Sequence, residues 1–306
     1  MKLVSYEENG RPRFGAISGT RIVDMQRASA KLAATDATIE AIPARIEDFL
    51  EDAARLLPSA RRIVAAFAAG VTDPEISTPL DAAKCLPPVP RPPKIICVAR
   101  NYAEHAKEAG LELSPIPILF ARFAKTFVAN GDPVLVPAVS DQLDWEGELA
   151  VIIGKGTNGR RITRAEAMDY VFGYSIFNDV TVRDYQFRIT QYTAGKNFRA
   201  SGPFGPVIVT ADEIADPHKL DIRTTLNGEV MQFANTETML YDIPTILENI
   251  AEFIDLEPGD VIATGTPAGV GFKRKPPIFL KKGDTIAVEI PGIGMLSNPV
   301  IDEETL

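Results

Sequence analysis

The stretch "LDWEGELAV" (residues 143–151) sets three acids, Asp144, Glu146 and Glu148, at alternate positions and then turns apolar. Along an extended strand, residues two apart share a face and lie about 7 Å apart. Three carboxylates on one face raise each other's pKa and destabilise the fold unless a counter-charge sits among them. A divalent cation would supply that charge, and Gly147 adds no side chain between two of the acids. The following "AVIIG" reads as a strand continuing into a core. The alternative is an exposed strand end with its acids turned to water.

Composition narrows the setting. A chain of 306 residues, 45% of them hydrophobic, can bury a sizeable core. Its net charge of −9 argues against a nucleic-acid partner and against anionic membranes. The N-terminal "MKLVSYEENG" lacks a basic-then-apolar leader, and no run approaches a membrane span, so the cytoplasm is the expected compartment. Cys85 and Cys97 are too few for a disulfide framework and too far apart for a CxxC motif, and both read as small buried hydrophobes.

Residues 1–25 alternate around the turn sequences "ENGR" and "SGT", which predicts a small sheet of hairpins. Residues 45–70 carry helical spacing interrupted at Pro58, which predicts two short helices. "LPPVPRPPK", with five prolines in nine residues, is a stiff segment that puts a domain boundary near residue 90. A small α+β domain over 1–90 and a catalytic domain over 91–306 are therefore expected. Beyond the boundary the pattern is mainly strand and turn. Helices are expected only at "NYAEHAKEAG", at "TRAEAMDYV" with Thr163 as cap, and at "IPTILENIAEFI". Strands and helices do not alternate strictly, so the fold class is α+β, dominated by sheet, and not a doubly wound nucleotide-binding fold.

Four other stretches carry chemistry. In "FNDVTVRDYQ" (177–186), Asp179 follows an apolar run and suits a third carboxylate ligand, with a helix cap as the alternative; Arg183 and Gln186 follow at helical spacing. Carboxylate ligands completed by water suit Mg²⁺ or Mn²⁺, with Ca²⁺ the alternative, and two histidines in the whole chain exclude a His-rich site. In "NYAEHAKEAG" (101–110), His105 and Glu108 face one another on a helix as a general base and its helper would; a solvated amphipathic helix explains them equally. In "TAGKNFRASGPFGP" (193–206), Lys196 either reaches an anionic substrate or sits on a surface loop. "ATGTPAGVGF" (263–272) matches no nucleotide motif, but its amides and the Thr264 and Thr266 hydroxyls could hold a carboxylate. His218, in "DPHKL", reads as plain loop.

Taken in order, "KIICVARNYAEHAKEAG", "DWEGELAVIIGK", "GYSIFNDVTVRDYQ", "AGKNFRASGPFGP", "LEPGDVIATGTPAGVGF" and "KKGDTIAVEIPGIGMLSNPV" resemble the fumarylacetoacetate hydrolase family, and they run from residue 94 to 300 almost without a gap. The first 90 residues resemble, more weakly, the small N-terminal domain of many bacterial members. The resemblance implies a catalytic domain of rolled, layered mixed β-sheets, a homodimer and one divalent metal in a central cleft. It implies metal ligation by Glu146, Glu148 and Asp179, with Asp144 outside the ligand set. It implies a catalytic pair of His105 and Glu108 on a closing flap, and substrate contacts from Arg183, Gln186, Lys196 and Thr266.

The substrates so implied are 2-oxo acids with a second carbonyl, or their enols. In the reading set out first, the metal holds the 2-oxo acid and acts as a Lewis acid, His105 with Glu108 activates water, and Lys196 offsets developing charge, which makes a hydrolase of acylpyruvate-like diketo acids. The alternatives are a decarboxylase of oxaloacetate-like acids or a 2-hydroxyhepta-2,4-diene-1,7-dioate-type isomerase on the same site, and a catalytically weak metabolite-binding relative. Arg199 replaces an acid common in related sequences, so either the substrate bears an extra carboxylate or Arg199 points outward. Arg122 stands where lysine is common, and Arg100 where a small residue is frequent.

Overall fold

The computed structural model describes residues 1–104, 108 and 114–303. The chain is α+β, built on one large mixed sheet, and the element positions follow from local sequence. Asn9–Gly10 adopts positive φ (52° and 73°), the geometry of a tight hairpin turn, and joins strands Lys2–Glu8 and Arg11–Ser18 in antiparallel register. Strand Arg21–Asp24 continues the meander. Strand Lys2–Glu8 also pairs with Gly202–Thr210, so the N-terminal hairpins extend the sheet that carries the rest of the chain. One hydrophobic cluster runs across this junction, with Phe14, Phe49 and Leu50 packed in the same core as Phe172, Phe177 and Phe204.

The central strands of the sheet are Gly202–Thr210, Val171–Asn178, Gly147–Ile153, Val261–Ala263 and Ile95–Ala99, in that spatial order. Every residue of Gly147–Ile153 is buried, which explains its near-continuous apolar run. A second sheet of five strands includes the hairpin Asp221–Leu226/Glu229–Asn235 and strand Thr285–Ile290. Gly147 marks where the two sheets meet: a Cβ there would lie 2.3 Å from Thr224 Oγ1 and 3.0 Å from Val288 Cγ1. The residue between two acids is therefore small because side chains of the second sheet pack directly against it.

Three expectations need correction. The two helices between residues 45 and 70 are Ile46–Glu51 and Ala53–Ala66, separated at Asp52; Pro58 lies inside the second, on its exposed side. "TRAEAMDYV" forms only a 3₁₀ turn, Ala167–Tyr170, because strand Val171–Asn178 begins at once; Thr163 still closes a local box with Glu166. His218 is more than loop, since its Nε2 accepts the Ile243 amide at 3.1 Å, at the start of helix Ile243–Ala251. That helix is capped by Asp242, whose side chain accepts from the Thr245 amide. Among the described residues no helix is long and apolar enough to cross a membrane.

Asp24 ties the N-terminal meander to its first helix. It is buried, caps helix Met25–Leu32 through the Arg27 amide at 2.8 Å, and accepts from Tyr6 Oη at 2.5 Å and from Arg13 Nε and Nη2 at 2.5 and 2.8 Å. Burial works against its charge, but the Arg13, Arg27 and Tyr6 hydrogen bonds hold its carboxyl below the ordinary range. Asp24→Asn should cost about 3 kcal/mol at neutral pH, the usual cost of breaking a buried pair. Because the folded pKa is depressed, that stabilisation is present above the unfolded value of about 4 and fades as pH falls. Urea midpoints of the two proteins should therefore converge in acid; a gap that stays constant with pH would exclude the charge as its source.

Candidate metal centre and cleft

The acidic stretch turns inward at the end of the central sheet. Glu148 lies near the start of strand Gly147–Ile153 and Glu146 just before it, while Asp179 follows the last residue of the neighbouring strand Val171–Asn178. That pair is antiparallel with Gly147 opposite Asn178, so the start of one strand meets the end of the other. The Asp179 amide donates to Glu146 O at 2.8 Å, and Asn178 Oδ1 accepts the Glu146 amide at 2.9 Å. Glu146, Glu148 and Asp179 are all buried and each offers a carboxylate oxygen within 4.8 Å of the others. The solvated strand end and the helix-cap reading of Asp179 are thereby removed.

Three cations hold this cluster. Lys196 is only 2% exposed, and its Nζ donates to Glu146 Oε2 at 2.7 Å and Asp179 Oδ2 at 2.6 Å. Burial disfavours its ammonium, but the Asp179 and Glu146 carboxylates more than offset that and raise its pKa above the ordinary lysine value. Arg183 donates from Nε to Asp144 Oδ2 at 2.8 Å and from Nη1 to Glu146 Oε1 at 2.6 Å. Arg122 pairs with Asp179 Oδ1 and reaches Ser201 O and Oγ at 2.8 and 2.7 Å, a forked arrangement that lysine could not reproduce. Gly195 lets Lys196 sit this deep, because a Cβ there would lie 2.6 Å from the Gln186 backbone.

Asp144 lies outside the triad but beside it. It is fully buried and accepts from the amides of Trp145, Gly271 and Phe272 as well as from Arg183. It therefore fixes both Arg183 and the loop that closes one side of the cleft. Among the described residues, with Asp144 included, four carboxylates face three cations, Arg122, Arg183 and Lys196. Glu148 carries the excess: it accepts one hydrogen bond, from the Gly265 amide at 2.9 Å, and burial together with Asp179 and Glu146 pushes its pKa far above the ordinary carboxylate range. A buried all-oxygen donor set with one uncompensated charge fits a divalent cation.

The cluster forms the floor of a cleft of about 290 Å³ walled by Phe120, Phe187, Ile189 and Phe272. Arg183, Gln186, Lys196 and Thr266 all line it. Gln186 Oε1 accepts from Arg183 Nη1 at 2.9 Å, and Arg183 Nη2 is buried without a hydrogen-bond partner among the described residues. The Thr264 and Thr266 hydroxyls are spent on Leu149 O and Gly147 O, both at 2.9 Å, so they staple their segment to the acid-bearing strand. Glu108 is partly buried and accepts the Gly269 amide at 3.0 Å. His105 lies outside the described residues. Arg199 is 84% exposed, near Glu303 at 3.4 Å, so the outward alternative holds and it adds no charge beside Lys196. Cys97 is buried as expected, whereas Cys85 is half-buried.

Residues 94–301 match the family described as fumarylacetoacetate (FAA) hydrolase, C-terminal. The chain is 39% identical over 308 residues to the oxaloacetate tautomerase YisK of Bacillus subtilis (strain 168), covering 98% of this chain and 100% of that protein. It is 41% identical over 262 residues to the mitochondrial oxaloacetate tautomerase FAHD2A of Homo sapiens, covering 85% and 81%. The crystal structure of maleylpyruvate hydrolase from Sphingobium sp. SYK-6, in complex with manganese(II) ion and pyruvate, superposes with a TM-score of 0.75 at 30% identity over 99% of both chains. The matched region contains every strand that supplies an acid to the triad, and the chain belongs to the fumarylacetoacetate hydrolase family.

Proposed function

We propose that this protein is a Mg²⁺- or Mn²⁺-dependent enzyme that interconverts the keto and enol forms of oxaloacetate or a close 2-oxo diacid. The observation that carries this reading is the match at about 40% identity, essentially end to end in one case, to oxaloacetate tautomerases. It favours the isomerase class over the hydrolysis of acylpyruvates set out first from the sequence.

The metal, held by Glu146, Glu148 and Asp179, would act as a Lewis acid toward the 2-oxo acid. The chain supplies the rest. Arg183 Nη2, lacking a partner among the described residues, donates to the substrate's first carboxylate, and Gln186, whose Oε1 is taken by Arg183, turns its amide nitrogen to the same group. Lys196 keeps Glu146 and Asp179 in place and adds positive charge beside the oxygen on which charge develops. Glu108 with His105 takes the proton from C3; that C–H pair becomes the C2–C3 double bond, and the 2-oxo oxygen gains a proton, so no water is consumed. The apolar walls keep bulk water from the carbanionic carbon.

A second reading, hydrolysis of a maleylpyruvate-like acid, draws support from the manganese- and pyruvate-bound structural relative. It needs an activated water in the same cleft. Product masses separate the two, because tautomerisation leaves mass unchanged whereas hydrolysis yields pyruvate and a second acid. The homodimer belongs to the same proposal. It draws support from the edge strand Ile118–Ala121, which shares an apolar hollow with Phe253 (66% exposed) and Ile254. Light scattering should give twice the chain mass, and a monomeric mass would remove that part.

Two further outcomes are expected. Loss of enol absorbance from oxaloacetate should accelerate with Mg²⁺ or Mn²⁺ and stop on chelation, and Glu108→Gln should slow it by about 10²-fold or more without weakening metal binding; a rate indifferent to chelator would sink the metal mechanism. Glu148→Gln should keep the native near-UV spectrum while calorimetric Mn²⁺ affinity falls by at least about tenfold, since even outer-shell changes cost that much. Undiminished affinity would remove Glu148 from the ligand set.

A further inference from the structure

We propose that Arg100 recognises the second carboxylate of the substrate, so that the cleft selects a short 2-oxo diacid over the matching monoacid; this rests on the reading of the cleft as a 2-oxo acid site. Arg100 lines the same cleft as Glu146, Glu148 and Lys196. The other two cations there are committed, Arg183 to Asp144 and Glu146, and Lys196 to Glu146 and Asp179. Arg100, by contrast, makes no ion pair among the described residues. Among the described residues its one hydrogen bond runs from Nη2 to Tyr192 Oη at 3.0 Å, and its buried Nε has no partner there. A half-buried guanidinium turned into a cleft with donors unused is built for an anion, and a carboxylate takes two such donors at once.

The backbone aims the side chain. Arg100 adopts φ +58°, a conformation an arginine holds only when its surroundings impose it. Asn101 imposes it: fully buried, its side chain donates to Thr264 O at 2.7 Å and Tyr241 O at 3.0 Å and accepts the Tyr241 amide at 2.8 Å. Sheet register gives the placement. Cys97 and Ala150 both lie opposite Ala263 on the strand between them, and Arg100 and Glu148 project past that level at the same end of the sheet. They stand two strand spacings apart, about 10 Å. A four-carbon diacid with one end over the triad therefore directs its other end toward Arg100. Phe120 and Tyr192, stacked edge to face with centroids 5.6 Å apart, flank that path.

The test compares pyruvate with oxaloacetate, which differ by one carboxylate, titrated calorimetrically as fresh solutions into Mg²⁺-loaded protein. The native chain should bind oxaloacetate at least about tenfold tighter, the range of a charge-assisted pair. Arg100→Gln should lose that preference while its pyruvate affinity stays unchanged, and Arg100→Lys should recover part of it. Arg100→Asn, which tolerates positive φ, repeats the test should Arg100→Gln fold poorly. Equal affinities in the native chain, or full preference in a folded Gln or Asn variant, would overturn the assignment. Enol–keto turnover on the same samples keeps the two proposals apart: a chain that prefers oxaloacetate without interconverting its tautomers would lose the activity and keep the diacid subsite.

Discussion

Four carboxylates buried against three cations form the constraint around which the rest of this protein is arranged. Asp144, Glu146, Glu148 and Asp179 would repel one another apart if left alone in a low-dielectric interior. Arg122, Arg183 and Lys196 each bridge to one or two of them, and each is delivered by a different segment. The short helices Arg183–Gln186 and Thr193–Lys196, the segment after strand Ile118–Ala121 and the loop at Gly271–Phe272 are thus pulled to one end of the sheet by charge as much as by apolar packing. The charge left on Glu148 is what a divalent ion would neutralise.

The scaffold supplies rigidity where the cluster needs it. Strand Gly147–Ile153 is buried on both faces and paired on both edges, so Glu148 cannot relax toward solvent. Gly147 admits the second sheet, and the Thr264 and Thr266 hydroxyls pin the neighbouring segment to the same strand. Such over-determination holds like charges at ligand spacing, and it fits the placement of reactive groups on rigid elements.

Much of this was legible in residue order. Alternation placed Asp144, Glu146 and Glu148 on one face, the apolar run before Asp179 marked a strand end, and Asn9–Gly10 marked a hairpin that the backbone adopts at positive φ. What failed to read were long-range partnerships. The helical break assigned to Pro58 falls at Asp52, and Pro58 is carried inside the second helix on its exposed side. Arg199 could not be told from Lys196 by sequence, since both lie in one Gly-rich stretch, yet one is exposed and the other buried.

The sequence by itself determined most of the elements and the donors available: period and turn residues are local properties, and carboxylates with only two histidines in the chain point to a hard divalent cation, not a His-rich site, before any coordinate. Only the tertiary structure decided which charges meet. Asp144 and Arg183 are 39 residues apart and Arg122 and Asp179 57 apart, and their pairing depends on strand register and on how the segments cross the sheet's end. The same holds for Arg100. Nothing local says that it stands without an ion pair; only the arrangement of the other described charges around the cleft says so.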